Sequence, residues 1–110
     1  MKAALRVEVR DGRIVDLFTE APLCAKVTNG APLTLWLVGG AAGLLEGDDL
    51  TIDIAVGQGQ SLVVRSVASQ VVHPSPNSFD ASITVRATVA EGASLVWRPE
   101  PVILAAKSRY

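Results

Sequence analysis

Two ten-residue stretches of this chain are near-copies of each other. VGQGQSLVVR (Val56–Arg65) and VAEGASLVWR (Val89–Arg98) agree at six positions, and Thr51-Ile52 matches Thr84-Val85 at the same spacing of 33 residues. Each copy reads as a strand, a short glycine turn and a second strand. Apolar residues recur at a period near two or in short β-branched runs, which suits a pleated strand; a helix needs them every three or four positions. A two-strand unit cannot bury its apolar side alone, so copies of it must stack on one another. The expectation is an all-β fold of stacked hairpins, either β-solenoid-like or a sandwich of antiparallel or mixed strands. Leu62 and Leu95 then face one side and Val63 and Val96 the other, with Gly59 and Gly92 supplying the backbone freedom of the turns.

The rest of the chain carries the same signals. Leu5, Val7 and Val9 alternate with Arg6, Glu8 and Arg10, and Asp11-Gly12 is a two-residue hairpin signal with Ile14–Phe18 as the returning strand. Leu23–Val27 and Leu33–Val38 flank Asn29-Gly30, a second turn dipeptide. Leu50–Val56, Ser61–Val67, Ala81–Val89, Ser94–Trp97 and Val102–Leu104 complete the expected strands, with turns every eight to twelve residues. HPSPNS (His73–Ser78) and RPEP (Arg98–Pro101) are breaks by composition. At 110 residues the chain reads as a single β-rich domain. If half a solenoid were missing, Val102–Leu104 would be left as an exposed edge.

Several function classes are excluded early. Ten basic and eleven acidic side chains leave a formal charge of -1, and no run of like charge exceeds two residues. Nothing there recommends nucleic acid or an anionic membrane as a partner. Arg6 and Glu8 interrupt the N-terminal apolar residues, as a signal peptide would not allow. Ala31–Leu45, the longest uncharged apolar run, is too short to span a bilayer. Cys24 is the only cysteine, so no intrachain disulfide forms, which fits a reducing, cytoplasmic setting.

The stretch VGGAAGLLEGDDLTI invites a phosphate-loop reading that its surroundings refuse. A phosphate cradle needs Gly-Lys-Ser/Thr and then a helix, whereas Gly47 is followed by Asp48-Asp49 and a strand. Glu46, Asp48, Asp49 and Asp53 are candidate oxygen ligands for a hard cation, but neither the EF-hand spacing nor the Gly-Asp nonapeptide repeat is present. The plainer reading is a polar turn whose aspartates accept backbone hydrogen bonds. His73 reads as a loop residue and Cys24 as a small buried hydrophobe. Trp36 and Trp97 read as core residues. No nucleophile stands beside an orienting base, so a catalytic role is not expected.

Taken in order, these motifs resemble the urease accessory protein family UreD, also called UreH. There a strand leads into a glycine-rich loop ending Gly-Asp, then come V-x-x-G-x-x-L-x-L-R-[ST], a Q-x-x-x-K-V-Y-like stretch and V-x-x-G-A-x-L-x-W-x-P-x-P-x-I. The matching residues here are Gly39, Gly40, Gly43, Gly47 and Asp48, then Val56, Gly59, Leu62, Val64, Arg65 and Ser66. Val89, Gly92, Ala93, Leu95, Trp97, Pro99, Pro101 and Ile103 follow, and the tail AAKSRY resembles the stretch after them. The chain departs from the pattern after Ser66, where Val67, Val71 and His73 stand roughly in place of polar residues. Family members are about twice this long, so the resemblance covers their N-terminal half.

The resemblance implies a maturation chaperone and not an enzyme. Such a protein docks on urease apoprotein, binds UreF and, through UreF, the GTPase UreG, while nickel is delivered to the urease site. It implies no stably bound cofactor, with nickel in transit through a water-filled passage that Glu46, Asp48, Asp49 and Asp53 could line. Two other readings stand beside it: a small structural or ligand-binding β domain unrelated to nickel, and a metal-binding β protein using the Asp48–Asp53 carboxylates.

Overall fold

The computed structural model describes residues 1–38 and 44–110. Its regular elements are all strands: β1 (Lys2–Arg10), β2 (Arg13–Thr19), β3 (Cys24–Thr28), β4 (Thr34–Val38), β5 (Asp49–Val56), β6 (Ser61–Ser66), β7 (Val71–Val72), β8 (Ser82–Val89), β9 (Ser94–Arg98) and β10 (Ile103–Leu104). The all-β class expected from the periodicity is the class observed. Asp11 and Gly12 take φ of 54° and 72° and return β1 into β2 as an antiparallel hairpin, while β3 and β4 form a second one.

The repeat copies fold as arches. β5 belongs to a sheet of order β2-β1-β5-β8 and β6 to a second sheet of order β3-β4-β6-β9. Each copy therefore crosses from one sheet to the other, and the copies stack in parallel at the 33-residue offset. Leu50 lies on Ile83 and Ile54 on Ala87 in the first sheet; Leu62 lies on Leu95 and Val64 on Trp97 in the second. The arrangement is the solenoid-like one among those expected. Its cause is burial: paired as a hairpin, β5 and β6 would share one apolar face with nothing opposite. The arch sets the two faces against each other. The turn between them is conserved in geometry from copy to copy, with φ of 71° at Gly59 and 69° at Gly92, a region that side chains with a Cβ avoid.

A first coil underlies the two repeat copies. β1 pairs in parallel with β5, and β4 with β6, so the β1–β2 and β3–β4 hairpins extend the two sheets sideways. A third, narrow wall comes from β7 and β10, which pair in parallel, and from Leu44, which bridges to Val72. Sequence pattern missed β7, because two residues are too few to show a period. The stack as a whole measures 46 × 21 × 20 Å.

The core fills the space between the sheets. Leu5, Val7, Val9, Leu35, Ile52, Ile54, Val56, Leu62 and Val64 are buried there, and Ala3, Leu44, Leu50, Val72 and Ala81 form a smaller cluster against the third wall. Burial falls off at the third coil. In the inward row Leu5–Ile52–Val85 the exposures are 0%, 3% and 41%. Val89, Trp97, Val102, Ile103 and Leu104 are likewise exposed, although Ile103 and Leu104 pair with Val71 and Val72 on one side.

The gradient gives a testable contrast. Leu62→Ala empties a site that is fully enclosed and should cost about 2–5 kcal/mol in urea unfolding. Leu95→Ala, its register partner in the open coil, should cost roughly half as much. Equal losses would contradict the burial gradient.

Candidate functional site

The Gly-Asp corner sits where the third wall meets β5. Asp48 closes it: its backbone N–H donates to the Leu45 carbonyl at 3.1 Å and its Oδ2 accepts the Leu45 N–H at 2.9 Å. Gly47 takes φ of 78°, and its N–H donates to the Asp80 carbonyl at 3.2 Å. The Met1 amino nitrogen lies 3.5 Å from Asp48 Oδ1, and the Asp49 N–H donates to the Met1 carbonyl at 2.7 Å. The Asp48 carbonyl in turn accepts the Ser82 N–H at 2.7 Å, so all three coils are tied through this corner.

The other acidic residues are engaged separately. Glu46 accepts from the Asn77 N–H at 3.0 Å, from Asn77 Nδ2 at 2.9 Å and from the Phe79 N–H at 3.3 Å, which pins the Pro/Ser loop to the corner. Asp49 Oδ1 accepts from Ser82 Oγ at 3.3 Å. Asp53 takes the Arg86 guanidinium in a fork, with Nε at 2.8 Å and Nη2 at 3.3 Å. Asp49 and Asp53 share the outer face of the first sheet but stand about 13 Å apart along β5. The four carboxylates are not brought to one point, and among the described residues no group of three or more His, Cys, Asp or Glu is placed to hold a metal ion.

The remaining motif residues serve the architecture or face solvent. Gly59 and Gly92 make the arch turns; Pro99 is half-buried and Pro101 exposed. Gly39, Gly40 and Gly43 lie outside the described residues. The His73 N–H donates to the Leu44 carbonyl at 2.9 Å and so continues the third wall. Three expectations are corrected. Cys24 is exposed and not buried, because Ala25 and Val27 set the inward phase of β3. Trp36 is on the outer face of the second sheet and not in the core, because Leu35 and Leu37 take the inward positions. Its Nε1 donates to Thr28 Oγ1 at 2.9 Å, and the Arg65 guanidinium stands over its ring at 5.5 Å. Trp97 does point inward, but it is 39% exposed because no coil covers it.

Trp97 also lines a cleft of about 240 Å³ between the sheets at the open end, with Leu37, Ile52, Ile83, Val85, Val102 and Tyr110 among its walls. Sequence reasoning did not find it. The inward phase of β6 and β9 was legible, but which coil would be left uncovered was not.

A family model described as UreD urease accessory protein matches residues 1–110. The chain belongs to the UreD family. Among its relatives, the urease accessory protein UreD of Parafrankia sp. (strain EAN1pec) is 41% identical over 114 residues, which is 99% of this chain and 38% of that protein. The UreD of Frankia casuarinae is 36% identical over 131 residues, 99% of this chain and 41% of the relative. That of Streptomyces avermitilis is 34% identical over 115 residues, 98% and 46% respectively. The chain thus spans about two fifths of the length of the first two of these UreD proteins. The expectation of a non-catalytic protein agrees with the family's description as an accessory protein. Among the described residues, no helix is long and apolar enough to cross a membrane.

If Asp48 anchors the corner, its loss should be felt in stability. Asp48→Ala leaves the part-buried Leu45 N–H without an acceptor and should cost about 1–3 kcal/mol. Asp53→Asn, at an exposed ion pair, should cost about 0–1 kcal/mol. Chemical denaturation of both variants decides it, and an Asp48→Ala loss no larger than that of Asp53→Asn would refute the anchoring role.

Proposed function

We propose that this chain acts in urease maturation as the N-terminal, β-rich part of a UreD-type chaperone. The observation that carries the reading is the family match across residues 1–110. On this reading the protein works in the cytoplasm and holds the urease apoprotein and UreF on its sheet surfaces, with UreG reached through UreF. Nickel is cargo, handed on and not retained.

The chemistry of the chain suits such a role. A protein that passes a first-row metal onward must bind it weakly, since a closed set of imidazole or thiolate ligands would trap it. With one histidine and one cysteine in the sequence, such a set is beyond this chain's own means. The carboxylates of Glu46, Asp48, Asp49 and Asp53 are occupied by backbone amides, Asn77, Ser82 and Arg86. A stack of parallel strands is a stiff frame, and partners docked on its faces are held at fixed separations.

The test is genetic and analytical. Deleting the gene in a urease-positive host should leave urease apoprotein at normal abundance but poor in nickel by metal analysis, with activity lost in proportion and restored by the intact gene. Urease of normal nickel content in the deletion strain would sink the proposal.

A further inference from the structure

The two large sheets handle charge on their outer faces in opposite ways. On the first sheet, cations and anions alternate from strand to strand: Arg6 lies opposite Asp53, and Asp53 opposite Arg86. Arg6 pairs with Asp16 at 3.2 Å and Arg86 with Asp53 at 2.8 Å. On the second sheet the corresponding row reads Lys26, Trp36, Arg65, Arg98 across β3, β4, β6 and β9. Lys26, Arg65 and Arg98 are exposed, and among the described residues none of the three has a carboxylate partner. Arg65 and Arg98 are direct register partners on neighbouring parallel strands, an arrangement of like charges that works against the sheet.

The geometry points to this row as a docking surface for an acidic, extended segment of a partner protein. The row is about 14 Å long, three strand spacings from Lys26 to Arg98. An extended segment with carboxylates at alternate positions presents them on one side every ~7 Å, so three of them cover the same length. Trp36 lies between Lys26 and Arg65 and offers an aromatic surface beside the charges; buried Trp and Arg together are the residues that dominate binding energy at protein interfaces. Val63 and Val96 flank the row on the same face, so the patch combines apolar contact with cation recognition. A polynucleotide fits less well: the chain as a whole carries a formal charge of -1, and three cations neutralise only a few phosphates. The inference goes beyond the urease reading and holds whichever protein supplies the segment.

Calorimetric titration of the intact chain with an alternating Glu-Ser decapeptide tests it, with a Lys-Ser decapeptide and a single-stranded oligonucleotide as comparison probes. Saturable binding of the Glu-Ser peptide is expected, weakened by salt and weakened at least about tenfold in Arg65→Gln/Arg98→Gln. Arg86→Gln, on the other sheet, should leave the affinity unchanged. Because Arg98 stands against a like charge, Arg98→Gln should melt at or above the temperature of the parent chain. Four results would each overturn the proposal. These are no binding of the Glu-Ser peptide, binding indifferent to the double substitution, tighter binding of the oligonucleotide, and a lowered melting temperature for Arg98→Gln, which would mark a structural role.

Discussion

The parallel, in-register ladder between coils is the constraint on which everything else depends. At an offset of 33 residues, β8 lies on β5 and β9 on β6 without a slip along either strand. Parallel strands cannot be joined by a tight turn, so the chain must travel through the second sheet and the third wall before it returns. That requirement produces the arches and places the core between the sheets. It also stacks like on like: Thr84 on Thr51, Leu95 on Leu62, and Ser94 on Ser61 with their hydroxyls 2.9 Å apart.

The Gly-Asp corner shows how such a ladder is started. A solenoid coil has to be held at the point where the chain changes wall, and here Asp48 does this with its own side chain, N–H and carbonyl. Glu46 extends the hold to the loop at Asn77 and Phe79. These acidic residues are therefore structural joints. They suggest a cation loop in the sequence only because joints and ligands use the same residue types.

Much of this was legible in the residues. The hairpin at Asp11-Gly12, the all-β class and the equivalence of Gly59 with Gly92 follow from period and turn chemistry, which are local. The pairing of the repeat strands was not legible, since a strand–turn–strand copy has the same local pattern whether it closes as a hairpin or opens as an arch. Trp36 and Cys24 show a second limit. Both are apolar by type, so composition sends them inward, but the phase of a strand is fixed by its neighbours, here Leu35 and Leu37, and Ala25 and Val27. The row Lys26–Trp36–Arg65–Arg98 was invisible for the same reason: its members come from four strands separated by up to 72 positions in sequence.

The arch turn at residues 57–60 has a further consequence. It joins two strands that alternate independently, and its length alone sets the phase of the second against the first. Removing a single residue there would rotate β6 by half a period, sending Ser61, Val63 and Arg65 inward and Leu62 and Val64 to solvent. The turn is held to its composition as well, since a Cβ at position 57 would lie 2.9 Å from the Val9 carbonyl oxygen and Gly59 has positive φ, but its count of residues is the stricter constraint. In this architecture the length of a turn carries structural information that no side chain in it can replace.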